Sequence, residues 1–356
     1  MSLDQLSVII PTRNSRSLIE PHLDTMLEWL PHVGEIIGVD SFSEDGTLEF
    51  LREKCAFPHA EFQSHPPGLY ASWNAAIRKA TRPFLYVATA GDAINRDDLE
   101  YLVQTAASTQ ADVVTSSPHF FEEDGRPLLN QRWPLHEVLE AHPGDEVVQL
   151  SGPELAILAL QHCSPPFRYD SWLGSSASNV YRTAVLQAHP FREDAGHGAD
   201  TYFGIENALR LKAAFCRRRC GRFILHGPGG GAQKQKQDKQ RLFEIFDAAW
   251  LNCFNELCRS SLEPHVRERL EATHASFHAE SAKIMADYER FLEEEHAALL
   301  KEMGKKKAQQ DKVAELQAQV RQLQEQAKQA ERQLEGVVRQ VPGWMRRLFR
   351  IQVTSA

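Results

Sequence analysis

The chain opens on alternating apolar and amphipathic blocks. LSVIIP (6–11) is a short β-branched run closed by proline, the pattern of a buried strand. From residue 18 to 30, Leu18, Ile19, Leu23, Met26, Leu27 and Leu30 recur at helical spacing on one face. EIIGVD (35–40) predicts a second strand and TLEFLREK (47–54) a second helix. A polar link leads to LYASWNAAIRKAT (69–81), a third helix, and PFLYVATAGD (83–92), a third buried strand. Strands alternating with helices imply right-handed crossovers and a mostly parallel central sheet covered on both faces, an α/β fold. Such sheets bind ligands beyond the carboxyl ends of their strands, so the polar residues after these three strands are the first place to look for chemistry.

The pattern changes after residue 227. GPGGGAQKQKQDKQ (227–240) is a glycine hinge followed by a solvated Gln/Lys run, too polar to pack. Helices are expected over about 241–258 and 264–303. From Val313 a heptad follows, through Leu316, Val320, Leu323, Ala327, Ala330, Leu334, Val337 and Val341. Valine at most a positions with leucine at the early d positions favours a parallel two-stranded coiled coil, hence a homo-oligomer. Its two central alanines bury little area, and the competing reading is a solvated helix packing on its own chain. VPGWMRRLFRIQV (341–353) has Trp344, Leu348, Phe349 and Ile351 beside three arginines and no acid, which suits an anionic membrane surface, a coiled-coil cap or a partner. The expected division is 1–230 catalytic, 231–303 helical extension, 304–341 coiled coil and 342–356 basic tail.

Composition narrows the classes. With 356 residues, 42% hydrophobic and 25% charged, neither general disorder nor a fibrous repeat is possible. Acids outnumber bases 48 to 40, for a net charge of −8, the wrong balance for a generic nucleic-acid binder. No run approaches the ~20 apolar residues of a membrane span, and MSLDQLSVII lacks the basic start of a signal peptide. A cytoplasmic location is expected, with peripheral contact at the inner membrane face open to the tail. The six cysteines form no CxxC pair and read as reduced thiols. Cys216, Cys220 and His226 lack a fourth ligand for zinc.

The strand ends present Pro11-Thr12-Arg13-Asn14, then Asp40-Ser41-Phe42-Ser43-Glu44-Asp45-Gly46-Thr47, then Thr89-Ala90-Gly91-Asp92. Carboxylates, hydroxyls and backbone N–H groups converging on one crevice suit a nucleotide whose pyrophosphate needs a cation. SVIIPTRN, VDSFSEDGT and GLYASWNAAIRKATRPFLYVATAGDAI, in that order, resemble the catalytic domain of family 2 inverting glycosyltransferases, with a GT-A fold, over about residues 6–230. The resemblance implies a Rossmann-like domain, here followed by a helical extension and coiled coil. It implies transfer of a sugar from a nucleotide-diphosphate donor to a glycan or lipid-linked acceptor, in surface polysaccharide biosynthesis.

Carried over by position, the resemblance puts Pro11, Thr12 and Arg13 around the nucleoside, with Ser41 beside them. Asp40 would accept from the base imide, which favours UDP- or TDP-type donors. Asp45 reads instead as a turn and helix-start residue. Gly68 and Asn74 match positions near ribose and diphosphate, and Asn74 could equally be an ordinary solvated residue. The family shows two acids after the third strand where this chain has Thr89-Ala90-Gly91-Asp92. Asp92 matches the acid that binds the divalent ion, Mn²⁺ or Mg²⁺, with Gly91 under the phosphate and His226 as a further metal candidate. A lone His is more often structural.

For the general base, Asp200 precedes an aromatic-rich helix as the family's base does, with Glu193, Asp194 and Glu206 as competitors. Asp200 could also cap that helix, and a capping carboxylate is a poorer base because backbone donors lower its pKa. Trp172 could stack on a sugar or lie in the core. A catalytically inactive scaffold acting through its coiled coil is the competing function, kept open by the incomplete metal motif. A sugar nucleotidyltransferase is disfavoured, since no glycine-rich basic loop follows the first strand.

Overall fold

The computed structural model describes residues 3–164, 168–225 and 239–340. Contacts divide the chain into one unit over residues 1–282 and another over 283–356. The first unit begins β1 (Leu6–Thr12), α1 (Arg16–Met26), β2 (Glu35–Asp40), α2 (Thr47–Lys54), β3 (Ala60–Ser64), α3 (Leu69–Lys79) and β4 (Phe84–Val87). It continues through α4 (Arg96–Thr109), β5 (Val113–Ser116), β6 (His119–Glu122), α5 (Pro134–Ala141), β7 (Val147–Ser151) and α6 (Pro153–Gln161). Then come β8 (Cys163–Ser164), β9 (Arg168–Tyr169), β10 (Asn179–Arg182), α7 (Thr183–Ala188), α8 (Ala199–Glu206), β11 (Lys212–Cys216), β12 (Arg222–Leu225) and α9 (Lys239–Arg259). The last helix, α10 (Pro264–Gln340), starts in this unit and makes up the described part of the second.

Eight strands form one sheet in the order β3-β2-β1-β4-β10-β5-β11-β7. β1 pairs in parallel with β2 and β4, β2 with β3, and β5 with β11. β10 runs antiparallel to both β4 and β5, so those two point the same way. The carboxyl ends of β1, β2, β4, β5 and β11 therefore share one edge. β12 pairs with β6 in a small second sheet, and an isolated bridge ties Ala93 to Arg222.

Both faces of the large sheet are buried, which explains why β1 reads as a continuous apolar run rather than an alternation. Val8 and Ile10 face a core with Leu23, Met26 and Leu51, from α1 and α2, and Leu99 and Leu102, from α4. Ile9 faces the other core, with Trp73 and Ile77 of α3, Phe203 of α8 and Trp250 of α9. Trp250 is fully buried and donates from Nε1 to the Leu160 carbonyl at 3.2 Å. Replacing such a side chain by alanine costs about 3–5 kcal/mol, so α9 is part of this core and not an accessory.

Three sequence expectations change. The helix predicted over 18–30 ends at Met26, and Leu30–His32 form a separate 3₁₀ turn. Pro31 disfavours the helical conformation at the residue before it and has no N–H to donate. The polar link before residue 69 contains β3, an edge strand whose exposed Glu61 and Ser64 leave no apolar run to detect. The strand predicted over 83–92 pairs only through Val87, apart from one more bond from Ala88 N–H to Ile9 O at 2.9 Å. Residues 89–92 turn, with Asp92 N–H donating to Thr89 O at 3.3 Å.

Candidate active site

The register of β1 and β2 places Thr12 opposite Asp40 at the shared edge. Both are buried, and the Thr12 hydroxyl donates to Asp40 Oδ1 at 2.9 Å. Ser43 N–H donates to Asp40 Oδ2 at 2.8 Å, and the Ser43 hydroxyl to Oδ1. A carboxylate fixed by three donors cannot swing away, and it still has acceptor capacity for a ligand. Ser41, also buried, donates its N–H to Thr12 O at 2.8 Å, prolonging the ladder one step past the strands.

The neighbouring turns lock together. Asn14, in the left-handed region at φ +47°, donates its N–H to Ser43 Oγ at 2.8 Å and accepts Glu44 N–H at 2.9 Å. Pro11 lies within β1 and Arg13 is exposed just after it. Asp45 does what its turn sequence implies. It accepts from the N–H groups of Arg16 and Thr47, the first residues of α1 and α2. Phe42 was not singled out from the sequence: it is 57% exposed and held at φ +52°, a conformation bulky residues rarely adopt. Nothing in the sequence pattern signals it.

At the end of β4, Asp92 Oδ2 accepts from the Thr89 hydroxyl at 2.8 Å and Oδ1 from Ile224 N–H at 3.3 Å. Gly91 has φ +97°, which only glycine adopts readily, and a Cβ there would meet no atom of the described residues within 4 Å. Among the described residues no group of three or more His, Cys, Asp or Glu side chains could hold a metal ion alone. His226 lies outside the described residues, as do residues 342–356 of the basic tail and the 227–238 part of the glycine hinge and Gln/Lys run.

Gly68 is the N-cap position of α3. Asn74, inside that helix, is buried, with its side chain wholly engaged. Nδ2 donates to Phe191 O at 2.8 Å and to Glu193 Oε1 at 3.2 Å, while Oδ1 accepts Phe191 N–H at 3.0 Å. Asn74 thereby clamps the segment leading to Asp200. The Phe191 ring sits among Tyr70, Trp73, Tyr181 and Phe203, at centroid distances of 5.1–6.5 Å.

Asp200 is the second residue of α8, and Gly198 occupies the N-cap position. Asp200 is therefore not the cap, although a backbone donor still bonds its carboxyl. Its Oδ1 accepts Thr201 N–H at 2.7 Å, and the Tyr70 hydroxyl hydrogen-bonds to its carboxyl. Burial of the carboxyl outweighs these bonds and raises its pKa from 3.8 to about 6. A carboxyl poised near neutrality is matched to proton abstraction. The competitors are otherwise occupied: Arg192 pairs with Asp194 at 2.6 Å, Asn74 holds Glu193, and Tyr202 donates to Glu206 at 2.9 Å. Tyr70 escaped the sequence reading because an aromatic on an apolar helix face reads as core. Trp172 is buried and donates from Nε1 to Gly204 O at 3.0 Å, so it braces α8 and stacks on no sugar.

Residues 7–159 match the family model described as glycosyl transferase family 2. No curated protein matches the sequence. Among solved structures, S. aureus TarS 1–349 is similar at a TM-score of 0.52 and 17% identity, covering 77% of this chain and 71% of that one. The complex of TarS 1–349 with UDP-GlcNAc is similar at a TM-score of 0.51 and 17% identity, covering 76% and 73%. The shared architecture is the GT-A-like α/β fold with its large, mostly parallel sheet.

Proposed function

We propose that the chain is an inverting glycosyltransferase that moves a sugar from a nucleotide-diphosphate donor to an acceptor hydroxyl, with Asp200 as general base. The observation that carries this reading is the Asp200 carboxyl, half-buried beside Tyr70 and lifted to about 6. The family match over residues 7–159 supports it, as does a fold shared with a protein that binds UDP-GlcNAc. In the reaction Asp200 takes the acceptor's hydroxyl proton. The acceptor oxygen bonds to the anomeric carbon from the face opposite the diphosphate, and the bond from that carbon to the diphosphate oxygen breaks, inverting the centre.

Pro11, Thr12, Arg13, Asp40 and Ser41 would hold the nucleoside, Asp40 by accepting from a uracil- or thymine-type imide. Gly68 and Gly91 would flank the ribose and diphosphate, and Asn74 would act there through the segment it clamps. The Asp92 carboxylate, beside Gly91, would hold a Mn²⁺ or Mg²⁺ ion, since such ions readily complete their shell with water and phosphate oxygens. His226 is the second candidate ligand. Bound there, the ion would neutralise charge on the departing diphosphate.

Beyond the chemistry, the reading extends to a surface-polysaccharide acceptor, self-association through the 304–341 heptads and a cytoplasmic location with the basic tail at the inner membrane face. The exposed Val313, Leu316, Val320 and Leu323 on α10 support self-association. No described helix is long and apolar enough to cross a membrane.

Calorimetric titration with UDP, TDP, GDP and CDP, each with Mn²⁺ and with chelator, tests the proposal. Micromolar, metal-dependent binding of UDP or TDP, lost in Asp40→Ala, is the expected result. Absence of binding by every nucleotide would overturn it in favour of a scaffold acting through the heptads.

A further inference from the structure

At the same sheet edge, on the far side of β10 from Asp40, lies a cavity of ≈ 450 Å³. Its wall includes Ser117, which directly follows β5, and Arg217, which directly follows β11; Asn130, Gln131, Arg132, His136, Glu140 and Arg219 complete its polar lining. Three arginines face one carboxylate, in a chain whose net charge is −8. That carboxylate, Glu140, pairs with Arg132 at 2.7 Å on the exposed rim, where the pair is worth little.

The other two cations are held without neutralisation. Arg217 donates to the carbonyls of Leu139, His142 and Asp145 at 2.6–2.9 Å. Arg219 donates twice to Pro118 O, at 2.6 and 3.2 Å, and lies over the Phe120 ring. Among the described residues neither forms an ion pair. Neutral carbonyls fix the guanidinium planes and leave their charge uncompensated, the preorganised state in which arginine recognises phosphate. His136 senses that charge. Its pKa is held below 6.5 first by burial and further by Arg132 and Arg219.

The cavity is also joined to the transfer site. Five residues beyond Arg219, Ile224 N–H donates to Asp92, and Arg222 pairs with Ala93 through backbone bonds of 2.6 and 3.2 Å. We infer that the cavity lined by Arg217, Arg219 and Arg132 binds a phosphate group of the acceptor, so that the acceptor is a phosphate-bearing molecule. This rests on the transferase reading for the word acceptor, while the anion site stands on its own geometry.

The probe is the His136 ring resonance, followed by NMR through a pH titration with and without glycerol 3-phosphate. A bound anion favours imidazolium, so the His136 pKa should rise by on the order of 0.5. Arg219→Gln should abolish the rise. Arg217→Lys, which keeps the charge, tests the second cation where loss of the carbonyl bonds would unfold a neutral variant, and should preserve most of it. The same proteins are sedimented with phosphatidylcholine vesicles containing phosphatidic acid. Sedimentation lost in Arg219→Gln assigns the phosphate to a lipid headgroup, whereas a His136 response without sedimentation assigns it to a soluble acceptor. No His136 response with no Arg219-dependent sedimentation, or an equal His136 response in Arg219→Gln, overturns the anion site. UDP calorimetry on the same samples reports separately on the donor site, so failure of the transferase reading would leave the phosphate response intact.

Discussion

Asp200→Asn separates what this carboxyl does for the reaction from what it does to the fold. In the folded chain the carboxyl titrates near 6, against 3.8 for an ordinary aspartate. Between those values the folded state holds a proton that the unfolded chain has released, so rising pH destabilises the fold. At about 1.4 kcal/mol per pH unit, the two-unit difference costs ~3 kcal/mol at neutral pH and nothing below pH 4. Asparagine keeps an oxygen to accept from the Tyr70 hydroxyl and Thr201 N–H, and it carries no charge to bury. The variant should therefore be more stable than wild type by ~2–3 kcal/mol at pH 7.5 and indistinguishable at pH 3.5, by urea unfolding. Turnover should fall by a factor on the order of 10²–10⁴ with nucleotide affinity nearly unchanged. Equal stability at pH 7.5 would show that the carboxyl is solvated and the argument for its raised pKa mistaken. Near-normal turnover would move the base to Glu193, Asp194 or Glu206.

Three further outcomes are expected. In wild type, kcat should fall tenfold per pH unit below about 6, as Asp200 becomes protonated; a flat profile from pH 7 to 5 would exclude it as the base. His22 is buried in α1 with neither ring nitrogen partnered, and burial lowers its pKa from 6.5 to about 4. The unfolded chain then takes up the proton first as pH falls, so this residue should cost ~3 kcal/mol of stability between pH 6.5 and 4; His22→Leu should remove that part of the acid sensitivity, and unchanged acid unfolding would contradict it. Leu316→Glu with Leu323→Glu, both on exposed positions of α10, should reduce the mass seen by light scattering, and an unaltered mass would refute self-association through the heptads.

The geometry at the ends of β1 and β2 was readable because local rules write it. Thr12 and Asp40 end strands with strong apolar runs, and Asp45 sits in a turn whose chemistry is set by its own neighbours. What the sequence hid depends on distant packing. Whether Asp200 caps a helix or lies within its first turn depended on Gly198 taking the cap, a choice of one backbone geometry over another. Asn74 appears as a polar residue in a helix, and its partner lies 117 residues away, beyond any periodicity. Tyr70 and Phe42 carry no pattern at all. One is an aromatic on an apolar face, and the other is exposed in a loop whose backbone angle no composition rule predicts. β3 stayed invisible because an edge strand needs only one buried face.

The Asn74 clamp also has a consequence for the order in which the molecule assembles. The bonds at the ends of β1 and β2, such as Thr12 to Asp40 and Asn14 to Ser43, close loops of 28 and 29 residues. Those that place the segment leading to Asp200 and the turn after β4, Asn74 to Phe191 and Asp92 to Ile224, close loops of 117 and 132. Closure entropy grows with loop length, and long-range pairings come late in folding. A refolding chain should recover nucleotide binding before it recovers turnover.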